Sequence, residues 1–375
     1  MVDENIYNKT GRFCLKNRIL GFFGSVKLGW YLVSHGFLGF RKISIFIINA
    51  VSYLFRLTPA EHPSVMMIDP ANVCNLKCTG CATALGYHRL PPGVMDMEGF
   101  KSLIKEVKRS VFLVALYNSG EPFCHPHIYE MLDYLAASKI AVITSTNGHF
   151  FETDEKAEQL VKSSVYMVII SLSGATQSVY EQYHQKGDLN LVIENIQRIN
   201  KAKKKLKKKT PILKLRFLIF EHNQHEKQAM EELGKRIGGD IIEFRYSQTR
   251  YLEKKSETEY HSHLEEQWVS PVGKNKVCPW PWLLTSIHWD GTTLPCCFFA
   301  LDLLIMGNAL GNNGFKGVWH GRMYEEFRKK MKHGKNTIPA CRCCYAQLGF
   351  QEKFRKEDRV IYIERADAPK RETKK

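Results

Sequence analysis

Cys74, Cys78 and Cys81 stand within eight residues of one another, in the run Cys-Asn-Leu-Lys-Cys-Thr-Gly-Cys. Their thiolates can converge on one centre from a single loop. Thiolate donors suit zinc and iron–sulfur clusters. A structural zinc takes four closed ligands, and the next cysteine, Cys124, lies more than forty residues on. Three cysteines on a four-iron cluster leave one iron open, which is what catalysis at the cluster would require. Cys278, Cys296, Cys341 and Cys344 form a second set, separated by seventeen, forty-four and two residues. Four thiolates are the number that a structural zinc site takes. Cys297 and Cys343 adjoin members of this set and could substitute for them. A chain of 375 residues with eleven cysteines does not need disulfide staples. Clustered cysteines in such a chain read as metal ligands in a reducing compartment.

The elements that must carry these loops alternate. Val65–Ile68, Phe112–Tyr117, Ala141–Ser145, Met167–Leu172, Ile212–Phe220 and Ile241–Tyr246 are short apolar runs. Amphipathic stretches lie between them, and Met97–Lys108 places Phe100, Leu103, Ile104 and Val107 on one face. Strands separated by helices predict an α/β chain of parallel βαβ units. Six units fit a partial barrel or an open sheet, and periodicity alone does not choose. The domain expectation is a helical extension at 1–60, the α/β unit at 61–249, a polar linker at 250–277, a small cysteine-rich unit at 278–350 and a loosely ordered charged tail at 351–375.

The net charge is +16, which favours anionic partners. The lysine run at 204–209 and the basic tail read as solvated surface, and no aromatic residues interleave with them, so nucleic acid is not an expected partner. Between Asn5 and Ala60 there is no acidic residue, while eight Lys and Arg sit among many aromatics. The most apolar stretch, Ile43 to Phe55, is shorter than the roughly 20 residues that a spanning helix needs. It fits an amphipathic helix on an anionic membrane surface, or a helical extension packed on the main unit. No small-residue cleavage site follows, so a signal peptide is not expected. The expected location is the cytoplasm, with residues 1–60 a candidate for peripheral contact on the inner face of the membrane.

The Cys-x3-Cys-x2-Cys spacing following closely on a strand resembles the signature of the radical SAM superfamily. The resemblance covers roughly Ser64 to Ser247. It implies a partial (β/α)6 TIM-like barrel and a 4Fe–4S cluster on Cys74, Cys78 and Cys81. In that family the open iron binds S-adenosylmethionine, whose reductive cleavage yields a 5′-deoxyadenosyl radical that takes hydrogen from a substrate. Ser119-Gly120-Glu121-Pro122 resembles the family's GGEP motif, with Ser where Gly is usual. By that resemblance Glu121 accepts hydrogen bonds from the methionyl ammonium, and Gly120 lets the backbone approach closely. Asn147, Ser171 and Ser173 end the third and fourth strands, where the family binds ribose and carboxylate. Lys214 and Arg216 are candidate cations for that carboxylate if their strand face is the inner one. Gly80 stands where many members carry an aromatic residue beside the adenine, so that contact is unassigned. Cys124 is either a hydrogen-atom donor near the chamber or a small buried residue.

Cys278-Pro279, Asp290-Gly291 and Cys296 resemble the start of a SPASM domain, a C-terminal module that holds auxiliary clusters. No cysteine follows Cys344, which brings the resemblance closer to a shortened, twitch-like form with one auxiliary 4Fe–4S cluster. Such a cluster would carry electrons. The chain is expected to be an enzyme acting on a small molecule, a sugar or a lipid-linked substrate, with an external flavodoxin-like or ferredoxin-like electron donor. The alternatives are a maturase of a ribosomal peptide, and a zinc-stabilised non-enzymatic protein that binds anionic partners.

Overall fold

The computed structural model describes residues 26–86, 90–246, 277–297, 304–342, 350–355 and 360–365. Six parallel strands build its centre: β1 Val65–Ile68, β2 Leu113–Ala115, β3 Ala141–Thr146, β4 Val165–Ser171, β5 Ile212–Ile219 and β6 Ile241–Tyr246. They pair in sequence order, which makes the arrangement a partial barrel. Two helices, α1 Val26–Ser34 and α2 Phe40–Phe55, precede the strands. The barrel helices follow as α3 Met97–Val107, α4 Ile128–Ala137, α5 Asp154–Lys162, α6 Gln177–Tyr183, α7 Leu189–Lys205 and α8 Lys227–Ile237.

Local sequence explains these elements. Asp96, Thr153 and Asp188 accept the free backbone N–H groups that open α3, α5 and α7. Phe100, Leu103, Ile104 and Val107 are all buried on α3, at helical spacing. Along β5, burial alternates: Leu213, Leu215, Phe217 and Ile219 are buried, whereas Lys214 and Arg216 share the other face.

The N-terminal helices pack at the start of the strands. Asn49 of α2 is fully buried and donates to the His62 carbonyl (2.9 Å) and Ser64 Oγ (3.2 Å), just ahead of β1. Phe46 meets Phe112 ahead of β2 with ring centroids 6.0 Å apart. Lys42 donates to the Lys139 carbonyl ahead of β3. Tyr31 of α1 packs on Tyr166 of β4 at 4.7 Å. The extension therefore covers the N-terminal ends of the strands, and the cysteine loop leaves the opposite end of β1.

The C-terminal unit extends the same sheet. β7 Leu284–Ile287 pairs parallel with β1, and β8 Thr292–Leu294 and β9 Gly307–Asn308 continue antiparallel. Helices α9 Gly314–Trp319 and α10 Arg322–Lys332 pack behind. Glu106 of α3 accepts the Phe315 and Lys316 N–H groups at 3.0 and 2.7 Å. Trp282 and Trp319 donate to the Leu57 and Ala60 carbonyls. Barrel, extension and C-terminal unit are thus pinned together.

The expected loose tail is corrected over part of its length. β10 Phe350–Arg355 and β11 Val360–Arg365 form a hairpin, and β11 pairs parallel with β6. An open β6 edge has unpaired backbone groups, and Val360-Ile361-Tyr362-Ile363 is a strand-forming run that the surrounding charge conceals. The linker expected at 250–277 lies outside the described residues apart from residue 277.

Candidate functional site

Cys74, Cys78 and Cys81 occupy one loop between β1 and the single helical turn Ala82–Leu85. The end of β2 shapes that loop. Gly120 sits at φ +60°, and a Cβ there would lie 2.6 Å from the Val73 carbonyl oxygen and 2.7 Å from that of Ala71. Only glycine allows this approach. On either side, the Ser119 N–H donates to Asp69 Oδ1 (3.2 Å) and the Glu121 N–H to the Val73 carbonyl (2.8 Å). Asp69 also contacts His288 Nδ1 at 3.2 Å, beyond β7, so the loop is braced from the C-terminal unit as well.

All three thiols are free. Burial raises the Cys78 thiol well above its ordinary range, and neighbouring Cys81 and Cys74 push the same way. Cys74 is raised by burial, with Glu121 and Cys81 adding. The three sulfurs therefore feel one another, and binding a cationic centre would release their protons. Among the described residues no three Cys, His, Asp or Glu side chains could hold a single metal ion. The fit to a larger thiolate-bound group rests on the donor chemistry: three thiols from one loop, with no fourth cysteine in that loop.

The other expected residues divide. Glu121 is buried; its Oε2 accepts the Asn147 N–H at 2.7 Å and its Oε1 the Phe123 N–H at 3.1 Å. Burial pushes its carboxyl up to about 7 against these hydrogen bonds. Asn147 reaches the cysteine loop, with Nδ2 2.7 Å from Asn75 Oδ1 and 3.9 Å from Cys74 Sγ. Ser171 stands in register with Arg216. Ser173 does not line the mouth: it is fully buried, its Oγ accepts the Leu218 N–H and its carbonyl the Asn223 amide. Cys124 is half-buried on the turn after Glu121, its thiol pushed up to about 11 by burial, then by Glu121 and Cys74.

Lys214 and Arg216 both meet Glu243 of β6, at 3.1 and 2.5 Å. Burial opposes the Glu243 charge, but Arg216 and Lys214 outweigh it and hold the carboxyl down at about 2. Tyr117, Arg245 and Cys297 lie within electrostatic reach of this group. Sequence reasoning missed Glu243; the only signal for it is a pattern, cations two apart on β5 with Glu243 of β6 in register with Arg216. His184, 3.5 Å from Cys78 Sγ, has no local sequence signal, because α6 brings it across a hundred residues.

In the C-terminal unit, Cys278, Cys296 and Cys341 line one pocket with Trp280, Pro281, Phe327 and Met331. Cys297, next to Cys296, is exposed. Cys343 and Cys344 lie outside the described residues. Gly291, at φ +87°, allows the β7–β8 turn to meet Asn308 Oδ1, 2.4 Å from where a Cβ would be. An apolar pocket with three thiols fits an auxiliary cluster.

Comparison with protein families decides the assignment. Residues 68–231 match the model of the Radical SAM superfamily, and residues 278–345 match the SPASM iron–sulfur cluster-binding domain. The chain belongs to the radical SAM superfamily. Its cofactors are accordingly S-adenosylmethionine, a 4Fe–4S cluster and auxiliary iron–sulfur ligation in the SPASM domain. The radical SAM enzyme is 24% identical over 314 residues to the mycofactocin maturase MftC of Mycobacterium tuberculosis, covering 76% of each chain. It is 22% identical over 282 residues to the subtilosin biosynthesis protein AlbA of Bacillus subtilis, covering 69% of this chain and 58% of that one. Its fold resembles that of Streptococcus suis SuiB bound to the precursor peptide SuiA, with TM-score 0.55, 16% identity and coverage of 80% and 76%.

Replacing Gly120 with Ala should force the cysteine loop away from β2 at a cost of roughly 1–3 kcal/mol. Anaerobic reconstitution of Gly120→Ala should lose the iron of this loop and keep that of the C-terminal pocket. Iron analysis and the EPR signal that responds to S-adenosylmethionine check this, and wild-type loading would contradict it.

Proposed function

We propose that this radical SAM enzyme modifies a ribosomally made peptide. Cys74, Cys78 and Cys81 would hold the cluster that, when bound, provides the electron for cleaving S-adenosylmethionine to a 5′-deoxyadenosyl radical. The observation that carries the reading is the pairing of both modules in one chain with similarity to maturases across 76% of its length. It favours a peptide over the small-molecule, sugar or lipid-linked substrate expected from sequence. Glu121 and Asn147 would bind the methionyl end of the cofactor beside Cys74. Ser171 and Arg216 would face the chamber deeper along β4 and β5, with Glu243 setting the position of the guanidinium. Cys278, Cys296, Cys341 and Cys344 would ligate the auxiliary cluster, and the reducing electron would come from a flavodoxin-like or ferredoxin-like protein.

Reductive cleavage tests this reading. With dithionite, wild type should form 5′-deoxyadenosine and Cys78→Ala should form none above background. Co-expression with the short reading frames beside its gene should change the mass of one peptide with wild type only. Unchanged peptides together with turnover of a small metabolite would overturn the substrate class.

A second reading concerns where the enzyme works. Trp30 of α1 and Phe40 and Phe55 of α2 are 72, 87 and 69% exposed, and Ile47, Ile48, Val51 and Leu54 are exposed along α2 as well. Such a surface on a basic segment suits an anionic membrane. No described helix is long and apolar enough to cross one. Because α1 and α2 cover the N-terminal ends of the strands, docking there turns the cysteine loop away from the lipid, towards a substrate in water. Wild type should float with phosphatidylglycerol vesicles and not with neutral ones. Ile47→Glu with Val51→Glu should abolish flotation while leaving 5′-deoxyadenosine formation unchanged. Wild type that stays with the soluble fraction would remove this reading.

A further inference from the structure

We propose that His184 is a positioning residue that donates a hydrogen bond to the Cys78 thiolate and so raises the reduction potential of the cluster held there. The inference rests on Cys78 being a cluster ligand. His184 follows α6 and is buried, its ring stacked on Tyr180 at 4.5 Å and edge-on to Tyr183 at 4.7 Å. The two ring nitrogens have different partners. Nε2 lies 3.4 Å from the Ser173 backbone N–H. A backbone N–H can only donate, so Nε2 carries the lone pair. The ring proton then sits on Nδ1, which is 3.5 Å from Cys78 Sγ. The tautomer is thus fixed from the far side of the ring, and its one donor faces sulfur.

The chain also keeps the two residues in register. The Lys77 N–H donates to the Gln185 carbonyl at 3.2 Å, and the Thr79 N–H to the Tyr183 carbonyl at 2.9 Å. Thr79 Oγ1 donates to the Gln182 carbonyl and accepts from the Gln185 amide. Residues 77 and 79 bracket Cys78 as residues 183 and 185 bracket His184. This clamp holds the imidazole against the sulfur. A hydrogen bond to a ligating sulfur withdraws negative charge from the cluster and favours its reduced, more negative form.

Redox titration of the reconstituted holoenzyme, followed by the EPR signal that responds to S-adenosylmethionine, tests the proposal. His184→Phe keeps the ring volume and removes the donor. At a fixed potential near the wild-type midpoint, its ratio of reduced to oxidised cluster should fall about tenfold, equivalent to about 59 mV for one electron. Its iron content and the auxiliary signal should match wild type. His184→Gln, which keeps an N–H donor, should recover part of the loss. An unchanged midpoint in a fully loaded His184→Phe would overturn the proposal. Pulsed EPR on otherwise wild-type enzyme labelled with nitrogen-15 histidine decides the matter if that variant fails to load. A histidine coupling to the cofactor-responsive cluster is expected, and its absence would overturn the proposal. Retention of that cluster in Cys78→Ala would instead refute the ligand assignment on which the inference rests.

Discussion

The contact between residue 120 and the backbone of residues 71–73 governs the site. With no Cβ at Gly120, the end of β2 presses on the segment entering the cysteine loop. Hydrogen bonds from Ser119 and Glu121 hold it there. The Glu121 carboxyl passes the constraint on to the N–H of Asn147, and the Asn147 amide returns to Asn75 and Cys74. The ends of β1, β2 and β3 are therefore locked together by the groups that surround the thiols. A loop of three cysteines would otherwise have many conformations, and ordering it beforehand lowers the entropic cost of binding a cluster.

Deeper in the barrel, charge is the organising factor. Three cations, Lys214, Arg216 and Arg245, lie around one carboxylate, Glu243. Isolated charges at such depth are costly, and pairing across adjacent strands makes them tolerable. The pairing also fixes where the guanidinium of Arg216 points, on the face of β5 away from the helices. Cys297 lies within electrostatic range of Tyr117 and Arg245. The C-terminal unit therefore approaches the barrel interior from the side of its cysteine pair, while Cys296 turns into the neighbouring pocket.

The six central strands were legible because each is a short apolar run: β1 and β6 match the expected bounds, and β2 to β5 shift by at most two residues at either end. The cysteine loop was legible because its chemistry is local in sequence. What periodicity could not give was the closure of six strands into a partial barrel, which came from the family resemblance. The hairpin of β10 and β11 was hidden because its pairing with β6 is a long-range contact in a charged segment. Ser173 was misplaced because a strand-end position does not say whether a side chain meets solvent or a neighbouring strand. His184 and Glu243 were missed for the same reason, since their partners lie on other elements.

Mössbauer spectroscopy of enzyme reconstituted with isotopically enriched iron tests the central claim most directly. If three cysteines leave one corner of the cube vacant, adding S-adenosylmethionine should change the parameters of a single iron and leave its thiolate-bound neighbours unaltered. Spectra that do not respond to S-adenosylmethionine, or iron that is coordinated by four sulfurs throughout, would contradict it.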